Sequence, residues 1–230
     1  MNEIMLHSHL IKIKLNNGSE LFLSDLENLV GIPYEMVTEI CCNNISLTSL
    51  SGISTFKNVK KLDISSNLLS DISELSNLIK LKKLNISNNF INDISIMKFF
   101  PKLKYLNATR NRIIDVSILK NNTYIEYIDL SFNFIQDISC LKSICTLRYL
   151  YLEYNEIETI DDITNNINLE ILSIDSNYIS SIDSISRFKK LKFMTCICNR
   201  ILSFDKLRDY FITSNKENNF TAMIFPQNIF

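Results

Sequence analysis

Apolar residues recur along most of this chain at a fixed phase. Val59, Leu62, Ile64, Asn67 and Leu69 open one segment, and Leu81, Leu84, Ile86, Asn89 and Ile91 repeat it 22 residues later. Leu103, Ile125, Leu147, Leu169 and Leu191 open the following copies. One polar position is as regular as the apolar ones: Asn67, Asn89, Asn111, Asn133, Asn155, Asn177 and Asn199 follow one another in steps of 22 residues. A weaker first copy runs from Val37 through Ile40, Cys42 and Leu47, with Ile45 at the Asn position. Such self-similarity marks an architecture of stacked coils, each a supersecondary unit that cannot bury its apolar face alone.

The local pattern predicts what each coil does. Within a copy, apolar and polar residues alternate with period two, as a strand requires. Leu62 and Ile64 are expected to face a core, and Lys61, Asp63 and Ser65 the opposite side. Leu69, Ile72 and Leu75 return the chain along a second wall. Stacking the copies then builds a parallel sheet over a continuous core. The recurrent Asn turns inward at the bend, where its amide can satisfy backbone groups that have no strand partner. Asp71-Ile72-Ser73, Asp93-Ile94-Ser95, Asp115-Val116-Ser117 and Asp137-Ile138-Ser139 recur at one phase of the other wall. Asp and Ser suit the entry to a short helical turn, so these acids are expected to be caps and not catalysts. About ten residues per copy remain there, enough for 3₁₀ or one-turn helix.

The motif LxxLxLxxNxL, with Ile replacing Leu freely, resembles the leucine-rich repeat in its 22-residue class. That class includes the leucine-rich nuclear regulator of protein phosphatase 1, axonemal dynein light chains and bacterial internalins. The resemblance covers about residues 37 to 210. It implies an α/β leucine-rich-repeat solenoid, with a parallel β-sheet on the concave face and short 3₁₀ or helical turns on the convex face.

The ends are expected to cap this stack. Residues 10–23 read as two alternating runs around Asn16-Asn17-Gly18, a hairpin signal. Ser24 and Glu27 have capping-box spacing and open a helix that Gly31 and Pro33 end. Ser203 to Phe211 reads as a short amphipathic helix, followed by an Asn-rich loop (Asn215 to Asn219) and a last strand, Phe220 to Phe225. The expected organisation is one structural domain: an N-terminal cap over residues 1–36, eight repeats over 37–212 and a C-terminal cap over 213–230.

Outward strand positions reveal an asymmetry. The third position of successive copies reads Glu39, Lys61, Lys83, Tyr105, Tyr127, Tyr149, Ile171, Phe193. The fifth position adds Asp129 and Tyr151, and the seventh and eighth add Phe132, Glu153, Tyr154 and Asp175. With neighbouring strands about 4.8 Å apart, Tyr105, Tyr127 and Tyr149 should form one row. Six aromatics on one face, each able to bury ~150–250 Å², exceed the apolar patch usual on a monomer. Tyr-rich patches with scattered charge have the composition of binding hot spots. Tyrosines also favour strands and pair across them, so sheet stabilisation alone is the competing reading. The partner-binding candidates are therefore Tyr105, Tyr127, Asp129, Phe132, Tyr149, Tyr151, Glu153, Tyr154, Asp175 and Phe193. The acids among them favour a basic residue on the partner.

Composition narrows the alternatives. The chain has 230 residues, 46% hydrophobic and 21% charged, with a formal net charge of −1. That excludes a disordered chain and offers no general attraction for polyanions. Ile and Asn are abundant, at 36 and 28 residues, against 3 Gly and 3 Pro. So few glycines leave little material for phosphate-cradling loops. Lys60, Lys82, Lys104, Arg148 and Lys192 form a second-position row, but Glu126 and Glu170 interrupt it, which points to a solvated face and no nucleic-acid partner. The six cysteines, Cys41, Cys42, Cys140, Cys145, Cys196 and Cys198, match neither zinc nor redox spacing. No membrane span or secretory signal is legible, and a cytoplasmic or nuclear protein is expected.

Enzyme chemistry finds little support. Glu153 and Asp175 share a position on neighbouring copies and are expected to titrate as a coupled pair. His7 and His9 lie outside the repeats, and two ligands alone make a weak metal site. No Ser/His/Asp or Cys/His arrangement can be placed. No cofactor and no metal are expected. The reading is a monomeric, non-catalytic protein-interaction module with a regulatory or scaffolding role. The resemblance implies a phosphatase-1 catalytic subunit as the most concrete partner, and an internalin-like adhesion or host-targeting protein as the alternative.

Overall fold

The computed structural model describes residues 10–24, 32–214 and 221–223. Its strands are β1 (Ile11–Leu15), β2 (Glu20–Leu23), β3 (Val37–Cys41), β4 (Lys61–Asp63), β5 (Lys83–Asn85), β6 (Tyr105–Asn107), β7 (Tyr127–Asp129), β8 (Tyr149–Tyr151), β9 (Ile171–Ser173), β10 (Phe193–Thr195) and β11 (Thr221–Met223). One helix, α1 (Asp205–Ser214), precedes β11. All the strands lie in a single sheet, in the order β11-β10-β9-β8-β7-β6-β5-β4-β3-β1-β2. From β3 to β11 every pairing is parallel, and equivalent positions face each other in register: Lys61 opposite Lys83, Tyr105 opposite Tyr127, Tyr127 opposite Tyr149. The chain is thus a solenoid with the sheet on one wall and 3₁₀ turns on the other, as its period implies.

The two walls enclose one apolar core. Leu62, Ile64, Leu69, Ile72 and Leu75 are all buried, and the equivalent residues of later coils join them. Phe56, Phe100 and Phe188 fill the far corner beneath the turns. The same corner holds something that periodicity does not reveal. Asn122 and Asn166 replace the apolar residue there and are fully buried. Each amide nitrogen donates to two carbonyls of the preceding coil, Met97 and Phe100 for Asn122, Leu141 and Ile144 for Asn166. Their side-chain oxygens have no protein partner. Two Asn thus tie the convex wall, at the position that Leu78, Phe100, Ile144 and Phe188 hold in other coils.

The main ladder runs along the sheet-side bend. Asn133 is typical: its Nδ2 donates to the carbonyls of Ala108 at 3.0 Å and Leu130 at 2.9 Å, and its Oδ1 accepts the Ile113 amide at 3.0 Å. Each ladder Asn therefore stitches its own coil to the previous one. Asn67 reaches back to Leu47 and Ile45, which lets the first copy manage without an Asn of its own. On the convex wall the Oδ1 atoms of Asp71, Asp93, Asp115 and Asp137 each accept the amide two residues on, at 2.7 Å. These are Asx turns one residue ahead of the helix N-cap, not side-chain caps in the strict sense. Thr159 and Ser181 do the same with hydroxyls.

The ends differ in how far they are described. The β1–β2 hairpin forms, and β1 lies antiparallel on β3. Gly18 takes the left-handed conformation (φ 89°) that the turn needs. The helix expected from Ser24 and Glu27 falls on residues 25–31, outside the described residues, as do the Asn-rich loop and both histidines. The helix expected over 203–211 runs over Asp205–Ser214, because the Ser203 hydroxyl accepts the Asp205 amide and sets its start. Tyr210 is buried beneath it and donates to the Phe188 carbonyl at 2.6 Å. Of the last strand, Thr221–Met223 is described and pairs with β10.

Candidate protein-interaction face

The sheet register builds two aromatic groups on the concave face. Tyr105 and Tyr127 stack with centroids 4.3 Å apart, and Tyr127 also meets Tyr149 at 6.3 Å and Tyr151 at 5.5 Å. The second group stands at the eighth position: Phe132 stacks on Tyr154 at 4.3 Å, and the Arg110 guanidinium lies over Phe132 at 4.2 Å. Arg110 was not among the expected residues, although the same 22-residue phase places it in line with Phe132 and Tyr154. Phe193 is on the same face, but Ile171 on β9 separates it from Tyr149, so it is not part of the row.

The eighth position carries a conformational demand. Asn44, Ser66, Asn88, Arg110, Phe132, Tyr154, Ser176 and Cys198 all have φ between 52° and 58°. Asn tolerates this left-handed region, whereas a bulky side chain there is strained. Phe132 and Tyr154 occupy it regardless, in adjoining coils, and Tyr154 is 52% exposed. The fold therefore does not select them for backbone fit.

The acids beside these rings are each engaged. Asp129 accepts the Ser131 amide at 3.0 Å, and Glu153 accepts the Ser173 hydroxyl at 2.6 Å. Asp175 accepts the Ile197 amide at 2.6 Å. Burial raises the Asp175 carboxyl above its ordinary range, opposed by bonds from the Ile197 amide and Thr195. Glu153 and Asp175, at equivalent positions of adjoining coils, bond to different groups: the Ser173 hydroxyl and the Ile197 amide. Ser65, expected to face outward, is buried, its hydroxyl donating to Asp63 at 2.6 Å.

Burial, followed by the charge of Asp129, pushes the Tyr127 and Tyr151 phenols up, so both are neutral near pH 7. Burial also lifts the Cys140 and Cys196 thiols to about 12, which keeps them protonated and poorly nucleophilic. None of the six cysteines is held in a disulfide among the described residues. Among the described residues no group of three or more His, Cys, Asp or Glu could hold a metal ion, and no helix is long and apolar enough to cross a membrane. What the face offers chemically is aromatic area, phenol donors and carboxylates in an open, shallow setting.

Two further features flank it. The tenth position forms an exposed row that the strand pattern did not point to: Leu68, Phe90, Phe134 and Tyr178, with Arg112 over Phe90 at 4.7 Å and Arg200 over Tyr178 at 4.2 Å. The same period could have found it. The second-position row behaves differently in its two halves. Glu126 pairs with Lys104 at 2.7 Å, and Glu170 pairs with both Arg148 and Lys192. Hydrogen bonds from Lys192 and Arg148 hold the Glu170 carboxyl below its usual range.

The comparisons with known proteins agree with this architecture. A family model described as leucine-rich repeats, in two copies, matches residues 57–98 and 145–187. An internalin from Listeria monocytogenes superposes with a TM-score of 0.74 at 24% identity, over 91% of this chain and 59% of that one. Internalin C2 from the same bacterium gives 0.73 at 24% identity, over 84% of this chain and 82% of that one. A plant peptide hormone receptor, RGFR1 in complex with RGF2, gives 0.60 at 27% identity, over 67% of this chain and 27% of that one. No curated protein sequence matches the chain. The chain carries leucine-rich repeats and folds as a leucine-rich-repeat solenoid, and its likeness to the internalins is one of fold.

Proposed function

We propose that this chain is a protein-interaction module that holds a segment of a partner protein on its concave face, in a regulatory or scaffolding role and without catalysis. The observation that carries the reading is the pair Phe132 and Tyr154. Two large aromatic rings are kept in a left-handed backbone conformation where Ser66, Asn88 and Ser176 serve other coils, and they stack there, Tyr154 exposed and Phe132 half-buried. A strained, exposed aromatic is of use to a ligand more than to the fold. The Tyr105–Tyr127–Tyr149–Tyr151 group beside them supplies the area of a hot spot, and Asp129, Glu153 and Asp175 favour a basic residue opposite. A plant receptor of related fold is itself seen in complex with RGF2, and that supports a protein ligand in kind, not in identity.

The experiment is capture of partners from cell extract by the purified chain, with Tyr127→Ala/Tyr149→Ala/Tyr151→Ala as control. Retained capture by a folded variant would sink the reading. A phosphatase-1 catalytic subunit among the captured proteins identifies the regulatory role, in a cytoplasmic or nuclear setting and with the chain as a monomer. The second reading is an internalin-like adhesion or host-targeting protein, favoured by the fold likeness to the two Listeria proteins. Capture of cell-surface receptors would select it.

A further inference from the structure

The first rungs hold a charge arrangement unlike the rest of the sheet. A hollow of about 490 Å³ opens between the β1–β2 hairpin and the starts of β3 to β6. It is lined by Lys14, Lys60, Lys61, Lys82, Lys83 and Lys104, with Glu39 the single carboxylate among its lining residues. Lys61 pairs with Glu39 at 2.8 Å and Lys104 with Glu126 at 2.7 Å. Lys14, Lys60 and Lys82 form no ion pair among the described residues, and Lys83 lies 5.6 Å from the centroid of the Tyr105 ring.

The second position makes the contrast plain. From Lys104 onward it alternates in sign, through Glu126, Arg148, Glu170 and Lys192, and closes ion pairs along the stack. Before that it reads Lys60, Lys82, Lys104, three like charges on neighbouring rungs. Like charges at facing positions of paired strands repel, and nothing in the fold requires them here. The fold shows, further along the same row, that alternation is available. A hollow in which Lys14, Lys60 and Lys82 stay without an ion pair among the described residues, and whose Lys83 adjoins the Tyr105 ring, is best explained by an anion that arrives from outside.

We propose that this hollow receives an acidic segment of the partner protein, so that the partner lies across the concave face in one orientation: acidic residues over β3–β6, apolar ones over Tyr105, Tyr127 and Tyr149, and a basic residue at Asp129, Glu153 and Asp175. The inference rests on the concave face being the binding face. Three strand spacings of about 4.8 Å span roughly 14 Å, room for about four extended residues. Beyond them the carboxylates of β7 to β9 repel a continued polyanion. A nucleic acid, with charge along its whole length, fits this ordered change of sign less well than a peptide does.

The test uses the full chain and a fluorescent pentaglutamate peptide, read by anisotropy in low and moderate salt. Binding is expected, with a steep loss on adding salt. Lys60→Gln/Lys82→Gln/Lys83→Gln should weaken it at least tenfold, while Lys120→Gln/Lys142→Gln on the convex wall leaves it unchanged; circular dichroism confirms that both variants are folded. The variant Tyr127→Ala/Tyr149→Ala/Tyr151→Ala should keep pentaglutamate binding. Failure of the concave-face reading therefore shows separately, as undiminished partner capture by that same tyrosine variant. No binding by the wild-type chain, or equal weakening by the convex pair, overturns the proposal. Tenfold tighter binding of a short DNA duplex, lost in the same lysine variant, assigns the hollow to nucleic acid and overturns it as well.

Discussion

Tyr105 and Tyr127, one repeat apart, stack on neighbouring strands with their ring planes 13° from parallel. The contact follows from the in-register pairing of β6 with β7, which sets equivalent side chains on adjacent rungs. Aromatic pairs of this kind contribute about 0.5–1.5 kcal/mol beyond the area they bury. A double-mutant cycle with Tyr105→Leu and Tyr127→Leu in denaturant should return a coupling of that size. Loss of partner capture well beyond that coupling energy separates recognition from sheet stabilisation; equal effects would leave the row a purely structural device.

Tyr154 offers a cleaner separation. Tyr154→Asn removes an exposed ring and places in the left-handed position a residue that tolerates it. Relief of strain and loss of stacking on Phe132 are each about 1 kcal/mol and opposite in sign. The unfolding midpoint should therefore move little, while affinity for the captured partner should fall about tenfold or more. Isothermal titration beside thermal unfolding reads both quantities.

Asn133→Leu should destabilise the chain although it raises hydrophobicity. The change leaves the Ile113 amide without its partner and removes one of the two ladder bonds at the Ala108 and Leu130 carbonyls, which still accept from Asn111 and Asn155. An unsatisfied buried amide costs about 1–3 kcal/mol, and a loss of about that size is expected in urea unfolding. A midpoint equal to that of the wild type would contradict the stitching role of the ladder.

Acid titration should separate two classes of carboxylate. The Asp115 and Asp137 carboxyls lie below their usual value of 3.8 because they accept backbone and hydroxyl bonds from Ser117 and Ser139. Their contribution is present above that value and is lost as pH falls through the lowered folded pKa. Asp175 is raised by burial, so its folded form is favoured below 3.8 and the advantage is lost as pH rises through the raised pKa. Melting temperatures between pH 6 and 3 should fall less steeply in Asp115→Asn/Asp137→Asn and more steeply in Asp175→Asn. The opposite order would reverse the assignment of causes.

Much of this was legible in the residues because a solenoid repeats one local solution. The 22-residue phase of Asn67 to Asn199 is the ladder, and the Asp-Ile-Ser signature marks the convex turns. The aromatic row could be named because strand alternation assigns each position to a face. Other features were not legible. Asn122 and Asn166 stand where the period asks for an apolar residue, and only the proximity of the preceding coil's carbonyls explains their burial. Arg110 joined the site because its guanidinium reaches the Phe132 ring.

The sequence by itself determined the stacking unit, its period, the wall on which each residue falls and the residues that close each bend, since these follow from covalent spacing and the need to bury apolar side chains. Tertiary structure decided which neighbours meet: that Tyr105 and Tyr127 stack, that Glu153 and Asp175 turn to different partners, and that the lysine row is paired at one end and open at the other. Period specifies a position on a rung. Whether two side chains on adjacent rungs attract, repel or ignore each other depends on rotamer, burial and the next bond available, and those are set only when the coils are stacked.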